Sequence, residues 1–137
     1  MAKKKVKTER QKMMDKIRPW FSKFIRIRDC DCFEMCICIT CGCRKHWKDG
    51  IHSGHFVHGL HFVEENEHAQ CGGCNTYCAV GDKYALWMVQ EYGRALTESL
   101  YRLKSNQKKH TIEELEEVLK LYKQKAKEIA EDKGISL

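Results

Sequence analysis

The chain has 137 residues, 32% of them charged, with one proline and a formal net charge of +6. That length suits a single domain with helical extensions, and the scarce proline and high charge favour long helices over an all-β chain. No run approaches the roughly 18 apolar residues of a membrane span, and the opening Met-Ala-Lys-Lys-Lys has no signal-peptide core, so a cytoplasmic protein without a membrane partner is expected.

The charge is unevenly spread. Residues 1–28 hold eleven Lys and Arg against two acids, whereas Cys30 to Cys78 has three bases and six acids. A basic arm on a near-neutral body is the footprint of a polyanion binder, although such arms also serve as solubilising tails. Residues 1–7 read as a disordered arm. From about Thr8 to Arg28 the pattern is helical, with Met13, Ile17, Trp20 or Phe21, Phe24 and Ile25 on one broad face. Pro19 is expected to kink this helix or to mark its true start. Arg18, Lys23, Arg26 and Arg28 fall off the apolar face, where phosphates could reach them.

Cys30 to Cys43 holds six of the nine cysteines and reads as turns rather than regular structure. Asp49-Gly50 signals a turn, Ile51 to Val57 a short strand, and His61-Phe62-Val63 a second strand before an acidic turn at Glu64-Glu65-Asn66. A short helix is expected from Asn75. The spacing thus predicts two strands and a helix with the cysteine pairs at the joints. Asp82 can cap a helix running to about Lys104, with Gly93 inside it at some cost. Thr111 and Glu114 form a capping box for a last helix, whose stripe of Leu115, Val118, Leu119, Tyr122, Ala126 and Ile129 ends at Gly134. The last two helices are expected to form a hairpin. The expected class is α+β, with a basic arm and helix over 1–29, a zinc-bound core over 30–81 and the hairpin over 82–137.

Two C-x-x-C pairs carry the chemistry. Cys38, Cys41, Cys71 and Cys74 can place four thiolates around one ion, the preferred cage of a structural zinc. In a reducing compartment clustered thiols serve metals more often than disulfides. Cys36 and Cys43 flank the first pair closely enough to compete with it, and Cys78 could compete at the second; Cys30 and Cys32 are surplus. A closed four-thiolate zinc has no open position and organises the fold rather than reacting. The ββα piece between the pairs is too small to bury a sufficient core without it.

Between the pairs lie Gly54-His55-Phe56 and Asn66, and Asn75 follows Cys74 directly. A neutral imidazole can take a proton from water near neutral pH. An amide oxygen suits a hard cation such as Mg2+, which keeps much of its water shell. By residue type alone His52, His58, His61 and His68 are as good candidates as His55.

The order Cys-x-x-Cys, Gly-His-hydrophobic, Asn-x-x-x-x-Cys-x-x-Cys-Asn resembles the zinc-bearing HNH, or ββα-metal, nucleases, with endonuclease VII of phages among the similar proteins. Over most of the chain, Phe24-Ile25-Arg26-Ile27-Arg28-Asp29, the two cysteine pairs, Ser53-Gly54-His55-Phe56, Glu65-Asn66, Tyr92-Gly93 and Thr111-Ile-Glu-Glu-Leu resemble the NinG (Rap) recombination endonucleases of lambdoid phages. The resemblance implies a metal-dependent endonuclease in a bacterial host carrying a phage or prophage, cutting Holliday junctions and related branched DNA. It implies His55 as general base, Asn66 as a structural residue and Asn75 as the ligand of a catalytic Mg2+ or Mn2+, beside the structural Zn2+. Many HNH sites carry a metal-binding acid or histidine where this chain has Gly54; His52 is a candidate substitute. Lys23, Arg26 and Arg28 would grip DNA, and paired cuts across a junction would call for a homodimer. Two rivals share some of these features: a non-catalytic zinc module that binds nucleic acid, and an iron–sulfur protein built on the surplus cysteines.

Overall fold

The computed structural model describes residues 3–76 and 81–137. Cys78, a competitor for the second thiol pair, lies outside the described residues. The architecture is mixed helix and small sheet, in two compact units: Met1–Phe24 with Lys108–Leu137, and Ile25–Gln107. Among the described residues no helix is long and apolar enough to cross a membrane.

The first helix, α1 (Glu9–Asp29), belongs to both units. It starts from a reciprocal cap in which Thr8 Oγ1 accepts from Gln11 N and Gln11 Oε1 accepts from Thr8 N. It does not begin at Pro19 but runs through that residue as one helix. A proline in a helix interior costs about 3 kcal/mol. Burial of Met14 and Ile17 before it and Phe21, Phe24 and Ile25 after it holds both halves in one helix.

In the first unit α1 pairs with the last helix, α5 (Ile112–Lys133). Tyr122 meets Phe21 edge-on at 4.5 Å and Phe24 at 5.6 Å between ring centroids. The expected capping box is present, with Thr111 Oγ1 accepting from Glu114 N, and Gly134 ends the helix in the left-handed region at φ 67°. The partner of α5 in its unit is therefore α1.

The second unit carries two antiparallel pairs of strands. β1 (Met35–Ile37) pairs with β2 (Arg44–His46), so the cysteine-dense stretch is a small hairpin rather than turns alone. Asp31 organises its start, accepting from the amides of Phe33 and Met35 and pairing with Arg44. β3 (Ile51–His55) pairs with β4 (Glu67–Cys71), with His55 opposite Glu67, Gly54 opposite His68 and His52 opposite Gln70. The second strand thus lies at 67–71; His61-Phe62-Val63 is loop, followed by a 3-10 turn over Glu64–Asn66. A short α2 (Gly72–Thr76) completes strand, strand and helix.

α3 (Gly81–Tyr92) and α4 (Arg94–Asn106) replace the single helix expected from 82 to 104. Gly93, at φ 84°, breaks the run between them. They pack on the loop after β3: Val57, Leu60, Tyr84, Met88 and Leu100 form one buried cluster. That cluster fixes the end of the strand carrying His55.

Candidate metal centre and histidine site

The turn from Cys38 to Cys43 closes through Gly42 N to Cys38 O at 2.9 Å and Cys38 N to Cys43 O at 2.8 Å, with Gly42 left-handed at φ 77°. The second turn brings Cys74 N to Cys71 Sγ at 3.4 Å. The Sγ atoms of Cys38, Cys41, Cys71 and Cys74 lie within 4.8 Å of one another, so the four cysteines could hold a zinc ion. A Zn–S bond of about 2.3 Å sets a tetrahedral S···S edge of about 3.8 Å, and Cys41 Sγ stands 3.8 Å from Cys71 Sγ.

Hydrogen bonds favour the thiolate at two of the four donors. The Cys43 amide and then its thiol hold Cys41 down to about 6, and the Cys74 amide holds Cys71 below the usual thiol range. Burial pushes Cys74 up, and it raises Cys43 to about 12. Four thiolates this close could all ionise only around a positive ion. Of the flanking cysteines, Cys36 is fully buried and turns its Sγ to Arg26 O at 3.2 Å, away from the cluster. Cys43 packs against the four without joining their mutual set.

His55 ends β3 with its side chain 29% exposed. Its Nε2 lies 3.5 Å from Oε2 of Glu67, whose own side chain is 6% exposed, and Ser53 Oγ donates to the other carboxylate oxygen at 3.0 Å. His61 packs edge-on to the His55 ring at 5.3 Å. Asn66 is fully buried and does not reach the ring. Its Oδ1 accepts from Val57 N, and its Nδ2 donates to Val57 O and Leu60 O at 3.0 and 2.9 Å, so it shapes the turn that follows His55.

Asn75 is exposed on α2, its Nδ2 3.2 Å from His52 Nδ1. The structure thus brings Asn75 and His52 together beside the thiol cluster and sets His55 with Glu67.

A buried relay supports the carbonyl just before His55. Tyr84 donates to Gly54 O at 2.7 Å, so at its 3.1 Å contact with His68 Nδ1 it accepts, leaving His68 Nε2 to accept from Tyr92 at 2.6 Å. His68 is therefore neutral with its proton on Nδ1. Burial, helped by the charge of Arg28, lowers its pKa to about 4.

The basic residues fare differently from one another. Arg28 donates to Glu64 O at 2.8 Å and Glu67 O at 2.7 Å and pairs with Asp29, which also accepts from Ala69 N. Burial disfavours its charge, yet the bonds and field of Asp29 outweigh that and its pKa is raised. Arg26 stacks on Trp47 and donates to Trp47 O at 2.9 Å, and burial lowers its pKa. The expected phosphate-binding pair is thus engaged in holding β4 and Trp47. Lys23 lies over the Trp20 ring at 4.8 Å.

Residues 1–132 match the family described as Bacteriophage Lambda NinG protein. The chain belongs to that family. No curated protein and no solved structure matches it. Within this NinG chain, sequence reasoning missed Glu67, which only the strand register places opposite His55, and Gln70 and Tyr84, which flank Gly54.

Proposed function

We propose that this NinG-family chain is a metal-dependent DNA endonuclease of the HNH, or ββα-metal, type, acting on branched recombination intermediates. One observation carries the reading: β3, β4 and α2 form strand, strand and helix, with His55 closing the first strand and Asn75 following zinc-cluster Cys74 on the helix. A zinc-only binding module gives no reason for a partly exposed histidine held by a buried carboxylate, nor for an exposed asparagine directly after a cluster cysteine.

In this reading His55 accepts the proton of the attacking water, and Glu67 stabilises the imidazolium that results. When bound, Mg2+ or Mn2+ supplies positive charge at the scissile phosphate and the leaving oxygen. Asn75 offers an amide oxygen to that ion, and His52 orients the amide through their 3.2 Å contact. Asn66 and Tyr84 keep the end of β3 in place. Lysines of α1 and of the C-terminal helices meet the DNA backbone, so selection rests on shape and phosphates rather than base edges. The cytoplasm of a bacterial host is the expected setting. Symmetric cuts would call for two copies of the chain, which sedimentation on a junction would count.

The test uses labelled four-way junction, flap and linear duplex, with and without Mg2+ or Mn2+, and His55→Ala alongside. Metal-dependent cutting of branched DNA that falls by about 10²- to 10⁴-fold in the variant, with zinc content and junction binding kept, supports the reading. Tight binding without cutting by the parent would leave a structural DNA-binding protein.

A further inference from the structure

The nuclease reading leaves a gap in the catalytic metal's ligands. A small hard cation is held by one or two protein oxygens with water completing its shell. Asn75 offers one, and residue 54, directly before His55, is a glycine. The space that a side chain at 54 would take is not empty. A Cβ on Gly54 would fall on Oε1 of Gln70 and come within 2.6 Å of Gln70 Cδ. The Gln70 amide therefore stands where the first atoms of an acid at position 54 would be.

We propose that Gln70 Oε1 is a second protein ligand of the catalytic divalent ion, in place of an acid at position 54; this rests on the nuclease reading above. Strand alternation puts His52, Gly54, His68 and Gln70 on one face of the β3–β4 hairpin, with His52 directly across from Gln70 and in contact with Asn75. Gln70 and Asn75 thus share that face with His52 between them.

The amide is also oriented. Gln70 Nε2 donates to Thr40 Oγ1 at 2.7 Å, which turns the oxygen toward Gly54. Thr40 sits between Cys38 and Cys41, so the structural thiol cluster sets the pose of this ligand. Gln70 is 2% exposed, and among the described residues no donor bonds its Oε1. Among those residues Arg10 Nε is the one fully enclosed side-chain polar atom without a partner, so Gln70 Oε1 keeps some contact with solvent, and an ion or its water can reach it. Two neutral amides leave the ion's full charge for phosphate, so binding is weak in the free protein and strengthens with DNA.

Mn2+ titration into zinc-loaded full-length protein, followed by the EPR signal of free Mn2+, tests this without reference to cleavage. Gln70→Ala is expected to weaken Mn2+ binding about tenfold or more with one zinc retained. Gln70→Glu, which keeps the shape and adds charge, is expected to tighten it. Gly54→Asp together with Gln70→Ala removes the collision and is expected to restore binding. Parent-like affinity in Gln70→Ala, with the zinc in place, overturns the assignment of Gln70 alone. Should that variant lose zinc, an unchanged affinity in Gln70→Glu overturns it instead. A parent that binds no Mn2+ at all, with or without junction DNA, overturns the nuclease reading itself.

Discussion

His55 and Glu67 face each other across the β3–β4 ladder, Nε2 to Oε2 at 3.5 Å, with Ser53 fixing the far oxygen of the carboxylate. A buried acid so placed orients the ring and stabilises its protonated form. Glu67→Gln keeps the size and a hydrogen-bonding amide but removes the charge. Cleavage under single-turnover conditions is expected to fall about 10²-fold while junction affinity stays within twofold. A loss carried by affinity instead would make Glu67 a folding residue only.

The parts of this fold that were legible in the sequence are those whose signals are local. The C-x-x-C pairs, the Thr111 cap and the Gly134 stop each act within a few residues, and all are where the spacing put them. β4 was not legible because all five of its residues are buried, so it shows no alternation, and Glu67, His68 and Gln70 are polar residue types that carry no strand signal. Its polar side chains meet groups distant in sequence: Ser53 for Glu67, Tyr84 and Tyr92 for His68, Thr40 for Gln70. The carbonyl partners of Arg26 and Arg28 were hidden for the same reason. Being off the apolar face says nothing about which carbonyls a later strand will bring there.

The thiol cluster makes a direct demand on metal content. Cys74→Ser removes one of the four converging sulfurs, and mass spectrometry under native conditions is expected to show zinc lost from about one equivalent per chain. The melting temperature should drop sharply, since structural zinc contributes on the order of 10 kcal/mol in small zinc domains. Cys43→Ser is expected to retain the zinc, because Cys43 lies outside the mutual set of four. Equal zinc loss in both variants would mean that Cys43 is a ligand.

His68 gives the protein an acid-sensitive window. Its folded pKa of about 4 lies below the ordinary 6.5, so between these values the unfolded chain binds more protons than the native one. Its contribution is fully present above 6.5 and is lost as pH falls toward 4, by about 3 kcal/mol at most. Other groups titrate over the same range, so the comparison is with His68→Gln, which can still donate and accept but does not titrate. Urea midpoints from pH 7.5 to 4.5 should fall less steeply in the variant. Parallel slopes would place the proton uptake elsewhere.

Arg28 and Lys23 should separate architecture from DNA contact. Arg28 spans two carbonyls of the segment leading into β4 and pairs with Asp29, at 23% side-chain exposure. Replacing it with methionine strands those acceptors and leaves Asp29 without its partner, a loss of about 3 kcal/mol in unfolding free energy. The dependence of junction affinity on salt should be unchanged, because a guanidinium committed to carbonyls releases no counterion from DNA. Lys23→Ala should do the reverse. It has no ion pair among the described residues, so stability should move by less than about 0.5 kcal/mol. If it meets a phosphate, the slope of log affinity against log salt should become shallower by about 1. A changed slope for Arg28→Met in a protein that remains folded would return that residue to the DNA interface.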